Sequence, residues 1–413
     1  MNQPSRLHLF QAFGIELEYM LVDKDTLAVK PITDELLKHE LGEYASDFEN
    51  GIVTWSNELV LHVIELKSTK PELNFNALEH AFADNIKKIN AILSKWNAML
   101  MPSAAHPLMD PIIETKLWPH ESNEVYEIYD RIFNSKGHGW SNLQSTHLNL
   151  PFYDDEEFAK LHAAVRILLP VLPALCASSP ILDGRLTGKL DTRLEFYKTN
   201  QAKIPSITGR VIPEAVFSKR NYINTVYDKI QADIKPFDPN NILNPIWVNS
   251  RGAIPRFDRG SIEIRVMDIQ ECPAADMAII TLVIELLKAL VNEKFIPIEE
   301  QVKIKTDVLV SIFDDCIVSG PQAVITNDEF LKIFGIRTPL SAAELWKSIL
   351  QRLITLTPSL EKWEKPELDI ILTEGTLANR ITNALGKDHS VENIKSVYRK
   401  LSGCLAQNKM FII

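Results

Sequence analysis

The run Ser261-Ile262-Glu263-Ile264-Arg265-Val266-Met267-Asp268 alternates polar and apolar residues with a period of two. That is the pattern of a β-strand with one buried face. Ile262, Ile264 and Val266 share one side; Ser261, Glu263 and Arg265 share the other. A strand whose outer face met only water would carry Thr, Lys and Ser there, whereas this one carries an acid beside a guanidinium. Two further runs repeat the device. Phe13 to Tyr19 sets Glu16 and Glu18 on one side, and Ser145 to Leu150 sets His147 beside Asn149. A chain with several such strands is constrained to a sheet with one chemically loaded face. Acids, a histidine and an arginine shared on that face predict a concave, metal-lined site.

The rest of the chain is read around those strands. Residues 12–23 form the first, ending in the turn Asp23-Lys24-Asp25, and Ile32 to Leu41 reads as a short helix capped by Thr33 or Asp34. Leu59 to Leu66 is β-rich. Asn74 to Met99 has the apolar spacing of a long amphipathic helix (Leu78, Phe82, Ile86, Ile89, Leu93), after which Leu100-Met101-Pro102 opens an extended segment. Glu124 to Phe133 reads as helix, and residues 145–150 as a strand stopped by Pro151. Glu156 to Leu175 reads as a second long helix interrupted by Pro170 and Pro173. Ser178 to about Glu214 is a polar, arginine-rich connection, too long for a simple linker and expected to be a lid or binding loop. Ser261 to Asp268 is the last clear strand. Pro273 to Leu290 reads as helix, and from Glu299 onward the chain reads almost wholly helical. With no repeat or interdomain linker, the expectation is a single α+β catalytic domain over 1–413. Residues 1–295 would form its sheet-containing core and 296–413 a helical C-terminal portion.

Charge excludes some partners. The 413 residues carry a formal net charge of −10, which argues against a general nucleic-acid or anionic-membrane binder. No apolar run is long enough to span a bilayer, and no signal-type apolar core follows Met1 to Arg6. Cys176, Cys272, Cys316 and Cys404 are scattered without metal or CxxC spacing, as expected of reduced, buried thiols in a cytoplasmic protein.

Glu16 and Glu18, two apart on a strand, repel unless a cation lies between them. Hard ions such as Mg²⁺ or Mn²⁺ take carboxylate oxygens in that arrangement. Glu58 and Glu65 are seven apart and fall on opposite faces of a regular strand, so both reach one site only through a bulge or an irregular entry. Glu65 is preferred as a ligand, since its neighbours in phase, Leu61 and Val63, are apolar. His62 reads as a packed or surface histidine. His147 is a candidate nitrogen ligand or phosphate contact, and Glu263 a candidate carboxylate ligand. Arg265 could hold a phosphate or carboxylate with its planar fork; the bland alternative is an in-sheet Glu263–Arg265 ion pair. Arg185, Lys189, Arg193, Lys198, Lys203 and Arg210 crowd the 178–214 connection, which is expected to act as a flap over phosphates. No Walker motif, Rossmann fingerprint or GxSxG elbow is present, so a nucleotide would be held through metals and arginines.

These segments together resemble glutamate–cysteine ligase family 2, a carboxylate–amine ligase group related to glutamine synthetase. The matching pieces begin with Gly14-Ile15-Glu16-Leu17-Glu18-Tyr19, Glu58 to Glu65, Ala105-His106-Pro107 and Thr146-His147-Leu148-Asn149. They continue through Ala177-Ser178-Ser179-Pro180, Gly184-Arg185-Leu186-Thr187-Gly188 with Arg193, and Ile262-Glu263-Ile264-Arg265. A fainter match is Gly375-Thr376-Leu377-Ala378-Asn379-Arg380. The resemblance implies a curved antiparallel sheet forming a funnel of the glutamine synthetase and guanido kinase type, with helices outside and Mg²⁺ ions, or Mn²⁺, within. It also implies that ATP phosphorylates a carboxylate, typically the γ-carboxylate of glutamate, and that an amine such as cysteine attacks the acyl phosphate, as in glutathione biosynthesis. By motif position Glu16, Glu18, Glu58, Glu65, His147 and Glu263 would be metal ligands. Arg265 would contact ATP phosphates, with Arg185 and Lys189 alongside, and Arg193 the substrate carboxylate or transferring phosphoryl group. Family members commonly carry Asp where Glu58 stands, and often a second histidine or other polar residue near Asn149. Substrates would be small amino acids, and a homodimer is the default expectation. Two other readings stay open on sequence alone: a phosphotransferase of the same fold that forms no amide, and a non-catalytic Mg-ATP-binding protein.

Overall fold

The alternating runs become neighbouring strands. The computed structural model describes residues 6–357, 360 and 365–413; within the helical reading after Glu299, only 358–359 and 361–364 lie outside them. An eight-stranded antiparallel sheet is built from β1 (Gly14–Asp23), β2 (Asp47–Asn50), β3 (Val53–Asn57), β4 (Val63–Ser68) and β5 (Ala98–Met101), with β6 (Ser145–Pro151), β9 (Ala253–Arg256) and β10 (Ser261–Asp268). Its order is β2-β3-β4-β1-β6-β10-β9, and β5 pairs with the end of β1, Met20 to Asp23, on the edge opposite β4. A separate two-stranded hairpin, β7 (Ile181–Leu182) with β8 (Arg185–Leu186), lies between β6 and β9 in the chain.

One face of the sheet is apolar. Ile15, Leu17, Ile64, Leu66, Trp55, Leu148, Ile262 and Ile264 are all fully buried and share one core with residues of the helices Phe75–Leu93, Asp155–Leu168 and Pro273–Val291. Phe75–Leu93 starts where the Asn74 side chain accepts a hydrogen bond from the Ala77 amide, relieving an otherwise unpaired amide of the first turn. Pro273–Val291 begins with proline in its first turn and is buried nearly all round, the mark of a helix enclosed by others.

Register fixes what the opposite face carries. Glu16 pairs with Lys67 on β4 and with His147 on β6; Glu18 pairs with Glu65, which pairs with Ser56. Asn149 stands between Gly14 and Glu263. Gly14 fits closely there: a Cβ at its position would lie 3.0 Å from Asn149 Cβ, which would have to shift. Each residue of a directly opposed pair points to the same side, so one polar face runs across β3, β4, β1, β6 and β10.

Several expectations are corrected. The β2–β3 hairpin and β9 were not anticipated. β4 starts at Val63, since residues 61–62 form a turn. The first helix, Thr33–Leu41, follows Ile32, and the Thr33 hydroxyl donates to Val63 O rather than capping. The helix expected over 74–99 ends at Leu93 and gives way, through a short 3-10 turn, to β5. The C-terminal portion also holds a small strand pair, Val324–Ile325 with Leu340–Ser341. The 178–214 connection is packed instead of hanging free: Ser178, Ser179, Asp191 and Arg193 are buried, and Thr192–Tyr197 is helical.

Candidate active site

The polar face gathers acids from separate segments. Glu16, Glu65 and His147 offer donor atoms within 4.8 Å of one another, and so do Glu18, Glu58 and Glu65. Glu65 belongs to both sets. The turn at 61–62 explains how Glu58 and Glu65 meet: it breaks the strand phase that would have set them on opposite faces.

Hydrogen bonds hold the acids in place. His147 Nδ1 lies 2.8 Å from Glu16 Oε2, and its Nε2 lies 2.9 Å from Ser145 Oγ and 3.8 Å from Glu18 Oε1. The Ser145 amide donates to Glu18 Oε2 at 2.6 Å, and Asn149 Nδ2 donates to Glu16 Oε1 at 3.0 Å. Lys67 Nζ lies 3.0 Å from Asp47 Oδ1 and 3.5 Å from Glu65 Oε1. On β10, Arg265 Nε lies 3.1 Å from Glu263 Oε1, and Arg256 approaches the other Glu263 oxygen at 3.9 Å.

The electrostatics separate the acids. Burial pushes Glu16 up, but the hydrogen bond and charge of His147, with the charge of Arg265, outweigh it and hold the carboxylate down at about 2. Burial, then the charge of Glu18, pushes Glu58 up to about 7. Burial, with Glu16 and Glu58 close by, pushes Glu65 well above the ordinary carboxylate range. His147 is raised as well: burial opposes its charge, but Glu16 and Glu18 overcome that cost. Two carboxylates held up in one enclosed cluster mark a place short of positive charge.

A cavity of about 650 Å³ opens over one end of this face. Glu16, Glu65, Asn149 and Glu263 line its floor; Arg6, Lys67, Lys70, Arg256 and Arg259 supply cations around it. Carboxylates, guanidinium groups and ammonium groups lining one cavity form a setting for a polyanion accompanied by metal ions.

The structure places the sequence-chosen residues unevenly. Glu16, Glu18, Glu58, Glu65 and His147 come together. Glu263 stays outside both donor sets and is engaged by Arg265 and Arg256. Arg265 faces the cluster, its side chain about a quarter exposed at 26%. Arg193 does not reach the cavity: its side chain is 1% exposed and ion-paired at 2.5 Å with Asp268, itself wholly buried. Arg185 is exposed on the β7–β8 hairpin, and Lys189 pairs with Glu195 at 2.9 Å; neither lines the cavity. The other cations of the expected flap are likewise occupied, Lys198 by Asp314 and Glu195, Lys203 by Ile132 O and Arg210 by Asp307. His62 is packed, its Nε2 2.7 Å from Ser141 O.

Lys67, Arg256, Arg259 and the β2–β3 acids were missed. Period two continued past Glu65 would have found Lys67. Asn50-Gly51 between alternating runs is a strong hairpin signal. Arg256 was hidden because Pro255 argues against a strand, yet β9 is the sheet edge, where proline is tolerated.

Comparison with known proteins agrees with this geometry. The profile of glutamate–cysteine ligase family 2 matches residues 12–316. A relative from Archaeoglobus fulgidus, known only as an uncharacterized protein, is 32% identical over 402 residues, covering 97% of this chain and all of the relative. A Bradyrhizobium protein described provisionally as glutamate–cysteine ligase 2 is 26% identical over 274 residues, 65% of this chain and 59% of that protein. Among solved structures, a bifunctional glutathione synthetase from Pasteurella multocida superposes with a TM-score of 0.61 at 13% identity. It covers 96% of this chain, which spans about half (52%) of that enzyme. A glutamate–cysteine ligase from Francisella tularensis in complex with AMP gives 0.57 at 13% identity, covering 95% of this chain and 88% of that one. At such identity the two structures show a shared fold.

Proposed function

The chain belongs to glutamate–cysteine ligase family 2, and on that premise we propose that it is an ATP-dependent carboxylate–amine ligase. The observation that carries this reading is the meeting of Glu16, Glu18, Glu58, Glu65 and His147, two of which, Glu16 and Glu65, also line a cavity shared with Arg6, Lys67, Lys70, Arg256 and Arg259. We read the polar face as the floor of a funnel of the glutamine synthetase type. In the proposed reaction an oxygen of the γ-carboxylate of glutamate attacks the terminal phosphorus of ATP, and ADP leaves. The amino group of a second substrate, such as cysteine, then attacks the acyl carbon. Phosphate departs, the nitrogen loses its proton and an amide remains. The AMP complex of the Francisella ligase supports a nucleotide as one substrate.

The donor sets fit Mg²⁺ or Mn²⁺: carboxylate oxygens and one imidazole nitrogen, with Glu58 and Glu65 held up for want of positive charge. Glu16, Glu65 and His147 would hold one cation, and Glu18, Glu58 and Glu65 another. Such ions, when bound, would supply neutralisation of the phosphate charge. The chain's own groups do the rest. Arg265, with Glu263 fixing its guanidinium, is aimed to pair with phosphate oxygens over the cluster. Lys67, Arg256 and Arg259 attract the polyanion into the cavity. Asn149 and Ser145 orient the Glu16 and Glu18 carboxylates so that no reorganisation is needed as charge moves.

A phosphate-release screen of amino-acid pairs with Mg-ATP tests the reading. ADP release should require both an acidic amino acid and an amine, and mass spectrometry should find their summed mass less one water. A stable phosphorylated product, or no ADP with any pair, would contradict it. Glu16→Gln and Arg265→Ala should each lower turnover roughly 10²–10³-fold while the far-UV spectrum and melting stay native.

A further inference from the structure

We propose that Arg193 is a positioning residue: its buried guanidinium grips the bulged backbone of β10 and thereby aims Arg265 at the acid cluster. The inference rests on the role given above to Arg265.

The register of β10 against β6 shifts between Ile264 and Met267, so that Arg265 and Val266 together oppose His147. A bulge of this kind bends the strand and re-aims a side chain. Its backbone groups then need partners outside the ladder. Past the last pair with β9, Ile264 with Ala253, the Arg265 amide donates to Gly252 O at 2.9 Å. The Arg265 carbonyl accepts instead from Arg193, whose terminal nitrogens lie 3.3 and 3.4 Å away. Arg193 Nε is directed by Asp268, the last residue of the same strand. Asp268 also accepts from the Ser178 amide at 2.7 Å and the Ser179 hydroxyl at 3.1 Å. One guanidinium thus ties the bulge at Arg265 to the end of the strand at Asp268. The opposite side is equally tight: a Cβ on Gly252 would lie 2.7 Å from Val266 Cγ1. The Gly252 amide donates to Val211 O at 2.7 Å, and Val211 is a β-branched residue at φ 66°, a conformation kept only where surroundings over-determine it. With its side chain 1% exposed and outside the cavity lining, Arg193 touches no ligand directly and acts on the β10 backbone it holds.

A double-mutant cycle on Mg-ATP binding to the full chain, read by titration calorimetry, tests this. Arg193→Lys keeps the charge against Asp268 but gives up the planar fork. It should weaken binding about fivefold, Arg265→Ala about tenfold or more, and the pair no further than Arg265→Ala alone. Losses that multiply would overturn the proposal, since Arg193 would then act without Arg265. Hydrogen exchange supplies a second readout: amides of 261–268 should exchange faster in Arg193→Lys while those of β1 stay protected. Unchanged exchange would count against the clamp. If Arg193→Lys does not fold, Asp268→Asn takes its place in the cycle with the same expectations. Wild-type affinity in Arg265→Ala would instead show that the role of Arg265 is wrong, and this inference falls with it.

Discussion

Glu65 is the residue on which both donor sets overlap, and its environment sets a pH dependence that a bland surface acid would lack. Glu58 is held up to about 7 and Glu65 well above the ordinary carboxylate range, so the folded, metal-free protein keeps protons that the unfolded chain releases. Such groups contribute stability fully below the ordinary carboxylate range and lose it as pH rises through their raised values. His147, also raised, acts in the same direction at higher pH. Glu16, held at about 2, contributes stability that disappears only in strong acid. Metal-free protein should therefore melt at lower temperature on going from about pH 5.5 to about pH 8, and millimolar Mg²⁺ should restore more at the higher pH. Scanning calorimetry at the two pH values checks this; a melting temperature that rises with pH and ignores Mg²⁺ would contradict it. At this scale much was legible. Glu16, Glu18, His147 and Arg265 follow from period two alone. The fate of Arg193 was not, because a sequence shows a positive charge but not the Asp268 that will bury it.

Strands and loops extend the argument. The long alternating runs β1, β6 and β10 were readable because one face is wholly apolar, and the helix Pro273–Val291 because it is apolar throughout. β2, β3 and β9 were not, since each is short and lies at or next to a sheet edge, where burial writes little pattern. The Gly375–Arg380 motif proves to be a latch. Thr376 and Asn379 cap the helix Leu377–Leu385. Arg380 meets both oxygens of the buried Glu271, directly after β10, and donates to Phe411 O at 2.7 Å, while the Phe411 amide donates to Glu271 at 3.1 Å. Arg380→Met would leave Glu271 buried without its partner and should cost about 3–5 kcal/mol in urea unfolding. Replacing both partners by apolar residues of similar size should recover most of that loss. A loss within about 0.5 kcal/mol for the single variant would show that the latch carries no stability.

Across the whole molecule, one face of the sheet makes the core and the other makes the chemistry. Helices from both halves of the sequence pack on the apolar side, leaving the acids, His147 and Arg265 on the other. Among the described residues no helix is long and apolar enough to cross a membrane. The order of strands, β4-β1-β6-β10, is what brings residues 58–65, 16–18, 147 and 263–265 together; that order is set by packing and could not be read from any single segment. The central claim is that these carboxylates and His147 converge to hold divalent cations. Crystals grown with Mn²⁺ and a non-hydrolysable ATP analogue test it through the anomalous signal of manganese. The account predicts peaks at about 2.0–2.3 Å from oxygens of Glu16, Glu18, Glu58 or Glu65 and from a nitrogen of His147. Manganese found only elsewhere, with these five side chains untouched, would contradict it.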